Sequence, residues 1–124
     1  MNKTLPIWRD ATNLLLEIEQ AVKHFPRYHK YTLGSELRTQ AMLICRLTGR
    51  AWRDKSSAQH WLEKLVPAVD DLKIQLQLAK ELQVFRNFAE FERLATLTVD
   101  VGKQSGGWLR RLQVSSQSEI SRKA

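Results

Sequence analysis

The sequence predicts an all-α protein folded as an antiparallel, up-down-up-down bundle of four helices. Only 5 glycines and 3 prolines interrupt the 124 residues, so long elements should dominate, and in proteins the long elements are helices. Apolar residues recur at spacings of three and four in four successive segments, which is the period of one helix face. Short connections separate these segments, and short connections make consecutive helices antiparallel neighbours.

The first predicted helix runs from about Leu5 to His24, and the second from about Leu33 to Arg53. Proline suits the first turn of the first helix, and Phe25-Pro26 ends it because the residue before a proline disfavours helical angles. Thr32 is the expected N-cap of the second helix. The predicted core positions are Leu5, Trp8, Thr12, Leu15, Ile18 and Val22, then Leu37, Ala41, Ile44, Thr48 and Ala51.

Two capping patterns predict where the third and fourth helices begin. Ser56 is followed three residues later by Gln59, as in a capping box, and Asn87 is similarly followed by Glu90. Pro67 predicts a bend or a split in the third helix. The adjacent glycines 106 and 107 cost about 1 kcal/mol each inside a helix, which indicates close backbone approach or an interruption. The predicted core positions are Leu62, Leu65, Val69, Leu72, Leu76 and Ala79, then Phe88, Phe91, Ala95, Thr98, Val101, Ser105, Trp108 and Leu112.

The bundle is predicted to occupy residues 1–113, followed by a polar, serine-rich and flexible C-terminal tail over residues 114–124. No apolar segment approaches the ~20 residues of a membrane span, and the N-terminus lacks the apolar stretch of a signal peptide. We therefore expect a cytoplasmic protein with no membrane partner. The single cysteine, Cys45, lies in an apolar run and is expected to be a small buried hydrophobic residue.

Residues typical of catalysis do not form a recognisable pattern. The sequence contains no glycine-rich phosphate loop, nucleophile elbow or metal-ligand spacing. Its histidines are scattered, and the adjacent carboxylates Asp70 and Asp71 diverge by ~100° on a helix, so they cannot converge as an acid–base pair. The sequence thus predicts a protein that is not an enzyme, with no catalytic residue, metal site or cofactor.

Most of the net charge of +7 lies in one region, because residues 27–55 contain seven Lys or Arg and two Asp or Glu. Guanidinium groups bind phosphate oxygens bidentately, so this region is predicted to bind nucleic acid. The candidate binding residues are Arg27, Lys30, Arg46, Arg50, Arg53 and Lys55. Three aromatic residues are candidates for stacking on bases or anchoring an interface, namely Tyr28, Tyr31 and Trp52. The alternatives are a solvated helix face and aromatic side chains that cap the core.

Three segments resemble a family of small bacterial four-helix-bundle proteins, and the resemblance spans roughly residues 5–113. The segments are Phe25-Pro26-Arg27-Tyr28-His29-Lys30-Tyr31-Thr32-Leu33-Gly34-Ser35-Glu36-Leu37-Arg38, Val84-Phe85-Arg86-Asn87-Phe88-Ala89-Glu90-Phe91-Glu92 and Gly102-Lys103-Gln104-Ser105-Gly106-Gly107-Trp108-Leu109. The family includes proteins encoded in intervening sequences of large-subunit ribosomal RNA genes. It also includes the accessory variability determinant (Avd) proteins of diversity-generating retroelements.

The resemblance to Avd implies a basic homopentamer that binds RNA or DNA and the retroelement's reverse transcriptase, and that supports mutagenic cDNA synthesis without catalysing it. The strong basic character and the arginine-rich second helix favour this branch of the family. The alternative is a bundle of the intervening-sequence type with a structural or protein-interaction role. In that case the basic face would meet an acidic protein, and no reverse transcriptase would be involved.

Overall fold

The computed structural model describes residues 5–123, and within them every regular element is helical. The elements are α1 (Pro6–Lys23), α2 (Arg27–Lys30), α3 (Leu33–Arg53), a 3₁₀ turn (Lys55–Ser57), α4 (Ala58–Glu81) and α5 (Phe88–Lys123). The predicted all-α class is confirmed for this range. Residues 1–4, assigned above to the bundle, and residue 124, assigned to the tail, lie outside the described residues.

Four long helices pack against one another. Helix α3 packs on α1 and α4, and α5 packs on α4 and α1, so each long helix has two neighbours. Two exposed ion pairs connect α1 to those neighbours: Arg38 to Glu19 at 2.6 Å and Arg93 to Glu17 at 2.8 Å. Exposed pairs of this kind contribute little to stability. The buried apolar faces therefore hold the helices together.

The predicted core positions of α3 and α4 are all buried, and most of those in α5 are buried or half-buried. Phe88, at the start of α5, is exposed instead, and Leu94 is buried. The prediction for α1 was partly wrong, because adjacent apolar pairs such as Leu14-Leu15 fit two phases of the helical period. The buried face of α1 consists of Ile7, Ala11, Leu14, Ile18, Ala21 and Val22.

The helix ends are stabilised by hydrogen bonds that the sequence predicted only in part. At the start of α5 the Asn87 side-chain oxygen accepts a hydrogen bond from the Glu90 N–H at 2.9 Å, which confirms that cap. The predicted box at Ser56 is wrong, since its hydroxyl lies 2.9 Å from a carboxylate oxygen of Asp54 and caps no helix. Thr32 occupies the N-cap position without a side-chain cap.

Helix α4 ends in a left-handed residue. Gln83 has a φ of 59°, the N–H of Val84 bonds to the Ala79 carbonyl at 3.4 Å, and the N–H of Gln83 bonds to the Lys80 carbonyl at 3.0 Å. This pair of bonds is a Schellman motif, in which glycine is the usual left-handed residue. Glutamine at this position therefore holds a conformation that L-residues disfavour.

Gly34 allows α3 to begin against the end of α1. A Cβ atom on Gly34 would lie 2.7 Å from Cγ1 of Val22 and 3.6 Å from the ring of Phe25. Real Cβ contacts are essentially never that short, and the β-branched valine has little rotamer freedom with which to move. The glycine is required here by space rather than by backbone angles.

The split considered at Pro67 and the interruption considered at the adjacent glycines do not occur, whereas a bend at Pro67 stays a prediction. Helix α4 continues through Pro67, which lies on the exposed face, where water can bond to the carbonyl that the proline leaves without a donor. Helix α5 continues through Gly106 and Gly107 and extends to Lys123, well beyond the expected end near Gln113. The expected helix end near Gln113 is thus wrong, whereas the flexibility of residues 114–123 stays a prediction. Residues 113–122 are all exposed, so the packed part of α5 does end near Leu112.

Candidate nucleic-acid interface

The arginine stripe of α3 borders an apolar groove between α3, α1 and α4. Arg46, Arg50 and Arg53 are exposed, and together they line a cavity of about 490 Å³. We call this cavity the arginine groove. Its other lining residues are Trp8, Met42, Cys45, Gly49, Asp54 and Trp61. The predicted projection of the three guanidinium groups from one face is therefore confirmed, whereas their tryptophan neighbours were not foreseen.

Contacts inside the arginine groove orient its charged groups. The guanidinium carbon of Arg50 lies 5.1 Å from the ring centroid of Trp61, within the range of a cation–π interaction. The hydrogen bond with the Ser56 side chain, followed by weaker hydrogen bonds from Ser57 and Trp61, lowers the pKa of the Asp54 carboxyl below its ordinary value. Asp54 is thus ionised at neutral pH and offsets one of the three positive charges.

Two further predicted residues, Trp52 and Lys55, line a second groove on the other side of the α3 terminus. This cavity has a volume of about 540 Å³ and includes Lys103, Trp108 and Arg111 of α5. We call it the Trp52–Trp108 groove. It is completed by the beginning of α1 and by Ala58 of α4. No aspartate or glutamate lines it among the residues that the structure describes.

All four tryptophans of the chain thus lie in these two grooves, around the end of α3, and all are half-buried. Trp52 was predicted as an interface residue, whereas the positions of Trp8, Trp61 and Trp108 in the groove linings were not predicted. Lys103 and Arg111 were not predicted either, and they are 50 to 65 residues from the arginine stripe along the chain. Their spacing of eight residues places them on one helix face, but no local signal connects that face to α3.

The remaining predicted residues lie elsewhere. Arg27, Tyr28 and Lys30 are in α2, and Tyr31 follows it, so they precede α3 while the grooves lie at its far end. At 1.5 Å per residue, α3 separates the two groups by about 20–30 Å. Tyr28 and Tyr31 are 86% and 71% exposed, and they do not cap the core. The predicted site is therefore two surfaces and not one.

Among the described residues, carboxylates form no ion pair with the cations of these surfaces, although Asp54 lies in the arginine groove. Within the described residues, ion pairs involve five other basic residues, namely Arg9, Arg38, Lys73, Arg86 and Arg93. No carboxylate oxygen of the described residues lies within 4.0 Å, the limit for an ion pair, of a cation that lines either groove. The same holds for Arg27 and Lys30. The grooves together contain six such cations and one carboxylate, Asp54.

The described residues show no arrangement typical of a metal site or of a membrane span. No cluster of three or more His, Cys, Asp and Glu side chains in residues 5–123 is arranged to bind a metal ion. None of the helices described here combines the length and apolarity needed to cross a bilayer. Comparison with known proteins finds no family model and no curated protein that matches the chain.

Proposed function

We propose that this protein is a non-catalytic accessory subunit that binds RNA or DNA through the groove end of α3. In this proposal it partners the reverse transcriptase of a diversity-generating retroelement in the cytoplasm and supports mutagenic cDNA synthesis. The resemblance of three sequence segments to Avd proteins supports the partner. The charge distribution supports the nucleic acid.

One observation carries the nucleic-acid part of the proposal. The six groove cations have no carboxylate partner among the described residues, although five other basic residues of the same chain do form ion pairs. A cluster of unneutralised cations attracts a polyanion from a distance and releases condensed counterions when it binds phosphates. Half-buried indoles between these cations add flat surfaces on which bases stack.

The finer architecture is part of the same proposal. We infer an up-down-up-down arrangement, which is supported because the beginnings of α1 and α4 line the same groove as the end of α3.

We also infer the homopentamer of the Avd proteins. An exposed apolar row at the end of α4, formed by Ile74, Leu78 and the C-cap residue Leu82, is a candidate surface for contact between subunits. Light scattering of the purified protein should give a mass five times that of one chain, and a monomer would contradict the pentamer.

The experiment that tests the function has two arms. In the first, binding of a single-stranded RNA of arbitrary sequence should weaken steeply with salt, because each phosphate contact releases counterions. In the second, the tagged protein should recover a reverse transcriptase from the lysate of its own host after nuclease treatment, which separates direct protein contact from RNA bridging. A neighbouring reverse-transcriptase gene with a template repeat and a variable repeat is the corresponding genomic expectation.

The two arms also distinguish the alternative. Recovery of an acidic protein without a reverse transcriptase, together with no salt-dependent RNA binding, would favour an interaction bundle of the intervening-sequence type. In that outcome the same cations would contact carboxylates of a partner protein instead of phosphates.

A further inference from the structure

The Trp52–Trp108 groove has the features of a binding site for a flat anion. Its volume of about 540 Å³ lies within the range of small-molecule sites in proteins. Two half-buried indoles line it, and Lys55, Lys103 and Arg111 lie along it with exposed side chains. The arrangement combines aromatic surface and positive charge in one concave place.

One acidic residue beside this groove, Asp10, has polar partners of its own. The side-chain amide of Gln104, which lines the groove, donates a hydrogen bond to the Asp10 carboxylate at 2.7 Å. Asp10 is also paired with Arg9 at 3.2 Å. The negative charge of Asp10 is therefore held beside the groove by two partners, and the three cations of the groove remain available to a ligand.

Gly107 leaves a notch between two of those cations. Lys103, Gly107 and Arg111 recur every four residues on one face of α5, so Lys103 and Arg111 lie about 12 Å apart along the helix axis. A Cβ on Gly107 would meet only guanidinium atoms of Arg111 at 3.5 Å and Arg110 at 3.8 Å. Packing therefore does not explain this glycine, in contrast to Gly102, whose Cβ would lie 3.4 Å from Val69 of α4.

We propose that the Trp52–Trp108 groove binds an unpaired nucleotide, with its base stacked on an indole ring and its phosphate bound by Lys103 and Arg111. This inference rests on the proposed function for the source of the nucleotide, a single-stranded nucleic acid, although a free mononucleotide has the same chemistry. A base in a duplex is covered on both faces by neighbouring bases and is paired along one edge, so its faces are not accessible to the groove. The groove thus selects single strands over duplexes.

Two adjacent glycines provide a matched pair of variants. Gly107→Leu places a side chain in the notch, whereas Gly106→Leu adds the same side chain one residue away, outside the groove lining. The Cβ of Gly106 would have only the Arg110 guanidinium, at 3.5 Å, near it. Both substitutions replace a helical glycine with a good helix former, so neither should lower the melting temperature measured by circular dichroism.

The experiment titrates wild-type protein and both variants with adenosine monophosphate, a 12-nucleotide single strand and a blunt duplex of the same sequence. Binding is followed by tryptophan fluorescence and by polarisation of labelled strands. We expect both single-strand and mononucleotide binding to quench tryptophan fluorescence, and Gly107→Leu to weaken both at least tenfold while Gly106→Leu leaves them unchanged. Replacing both Lys103 and Arg111 with glutamine should weaken binding and flatten its salt dependence. The duplex should bind less tightly than the single strand.

The outcomes separate this inference from the proposed function. Mononucleotide binding without strand binding would support the groove as a site for free nucleotide and contradict the proposed function. Strand binding that is lost in Gly107→Leu, without detectable mononucleotide binding, would identify a nucleotide within a strand as the ligand. Strand binding that is equal in wild type and Gly107→Leu would overturn the groove inference while leaving nucleic-acid binding intact.

Discussion

Replacing Arg46, Arg50 and Arg53 together with glutamine tests whether the arginine groove contacts phosphates. The three side chains are exposed and have no carboxylate partner in the described range. Glutamine keeps most of the aliphatic stem and removes the charge. The fold should be retained, because the largest local loss is the contact between Arg50 and Trp61, worth about 0.5–1 kcal/mol at an exposed site.

The magnitude follows from counterion release. On a single strand each phosphate contact contributes about 0.7 to the slope of log affinity against log salt. Three lost contacts should therefore flatten that slope by about 2. In 0.1 M salt the same three contacts correspond to about two orders of magnitude in affinity, or roughly 3 kcal/mol at 1.36 kcal/mol per tenfold change.

The assay is fluorescence polarisation of a labelled single-stranded RNA at several salt concentrations. The control is a second triple variant, in which glutamine replaces Lys23, Lys64 and Lys73. It also lowers the net charge from +7 to +4, but its substitutions are at exposed positions outside both grooves. Its effect should be smaller than that of the arginine variant, because none of its three side chains lines either groove. A wild-type slope in the arginine variant, or equal weakening in both triple variants, would refute the reasoning.

Three further predictions concern stability and reactivity. Gly34→Ala should lower the free energy of unfolding by about 1–2 kcal/mol, because overpacking against Val22 outweighs the better helix propensity of alanine. The control Gly106→Ala should raise the melting temperature, and an equal rise in Gly34→Ala would contradict the prediction. Gln83→Gly should raise the free energy of unfolding by about 0.5–1 kcal/mol in urea titrations by relieving the left-handed conformation, and a decrease would count against it. Burial raises the pKa of the Cys45 thiol from 9.0 to about 11, so at pH 8 its thiolate fraction falls about a hundredfold. Alkylation of Cys45 should therefore be at least a hundredfold slower in the native protein than in the urea-unfolded protein, and equal rates would contradict the burial.

The helical period predicted the fold wherever it was unambiguous. In α3 and α4 the predicted stripes of apolar residues spaced three and four apart are the buried ones. In α1 the apolar residues come in adjacent pairs such as Leu14-Leu15, and only packing against α3 and α5 selects the buried member. The end of α5 was missed because serine-rich composition indicates a loop, yet no glycine or proline follows Gln113 to stop the helix.

The candidate site was predictable only where it lies on one helix. Arg46, Arg50 and Arg53 were found because their spacing alone places them on a common face. Arg27 and Lys30 were grouped with them by proximity in sequence, but a straight helix intervenes and separates them in space. Conversely, Lys103 and Arg111 line the same groove as Lys55 only because α5 packs on α1 and α4. No local sequence pattern encodes that tertiary relation.

The long α5 has a consequence for how the protein unfolds. Its last turns contain Val114 and Ile120, both more than half exposed, and they obtain their hydrogen bonds from their own helix while burying little surface. Isolated helical turns are marginal in water, so we expect these turns to open and close without disturbing the bundle and their amide protons to exchange early. The denaturant dependence of unfolding follows the surface exposed, and it reports on the bundle alone. The helical signal in circular dichroism thus reports on the whole of α5, whereas cooperative unfolding reports only on the part of α5 that belongs to the bundle.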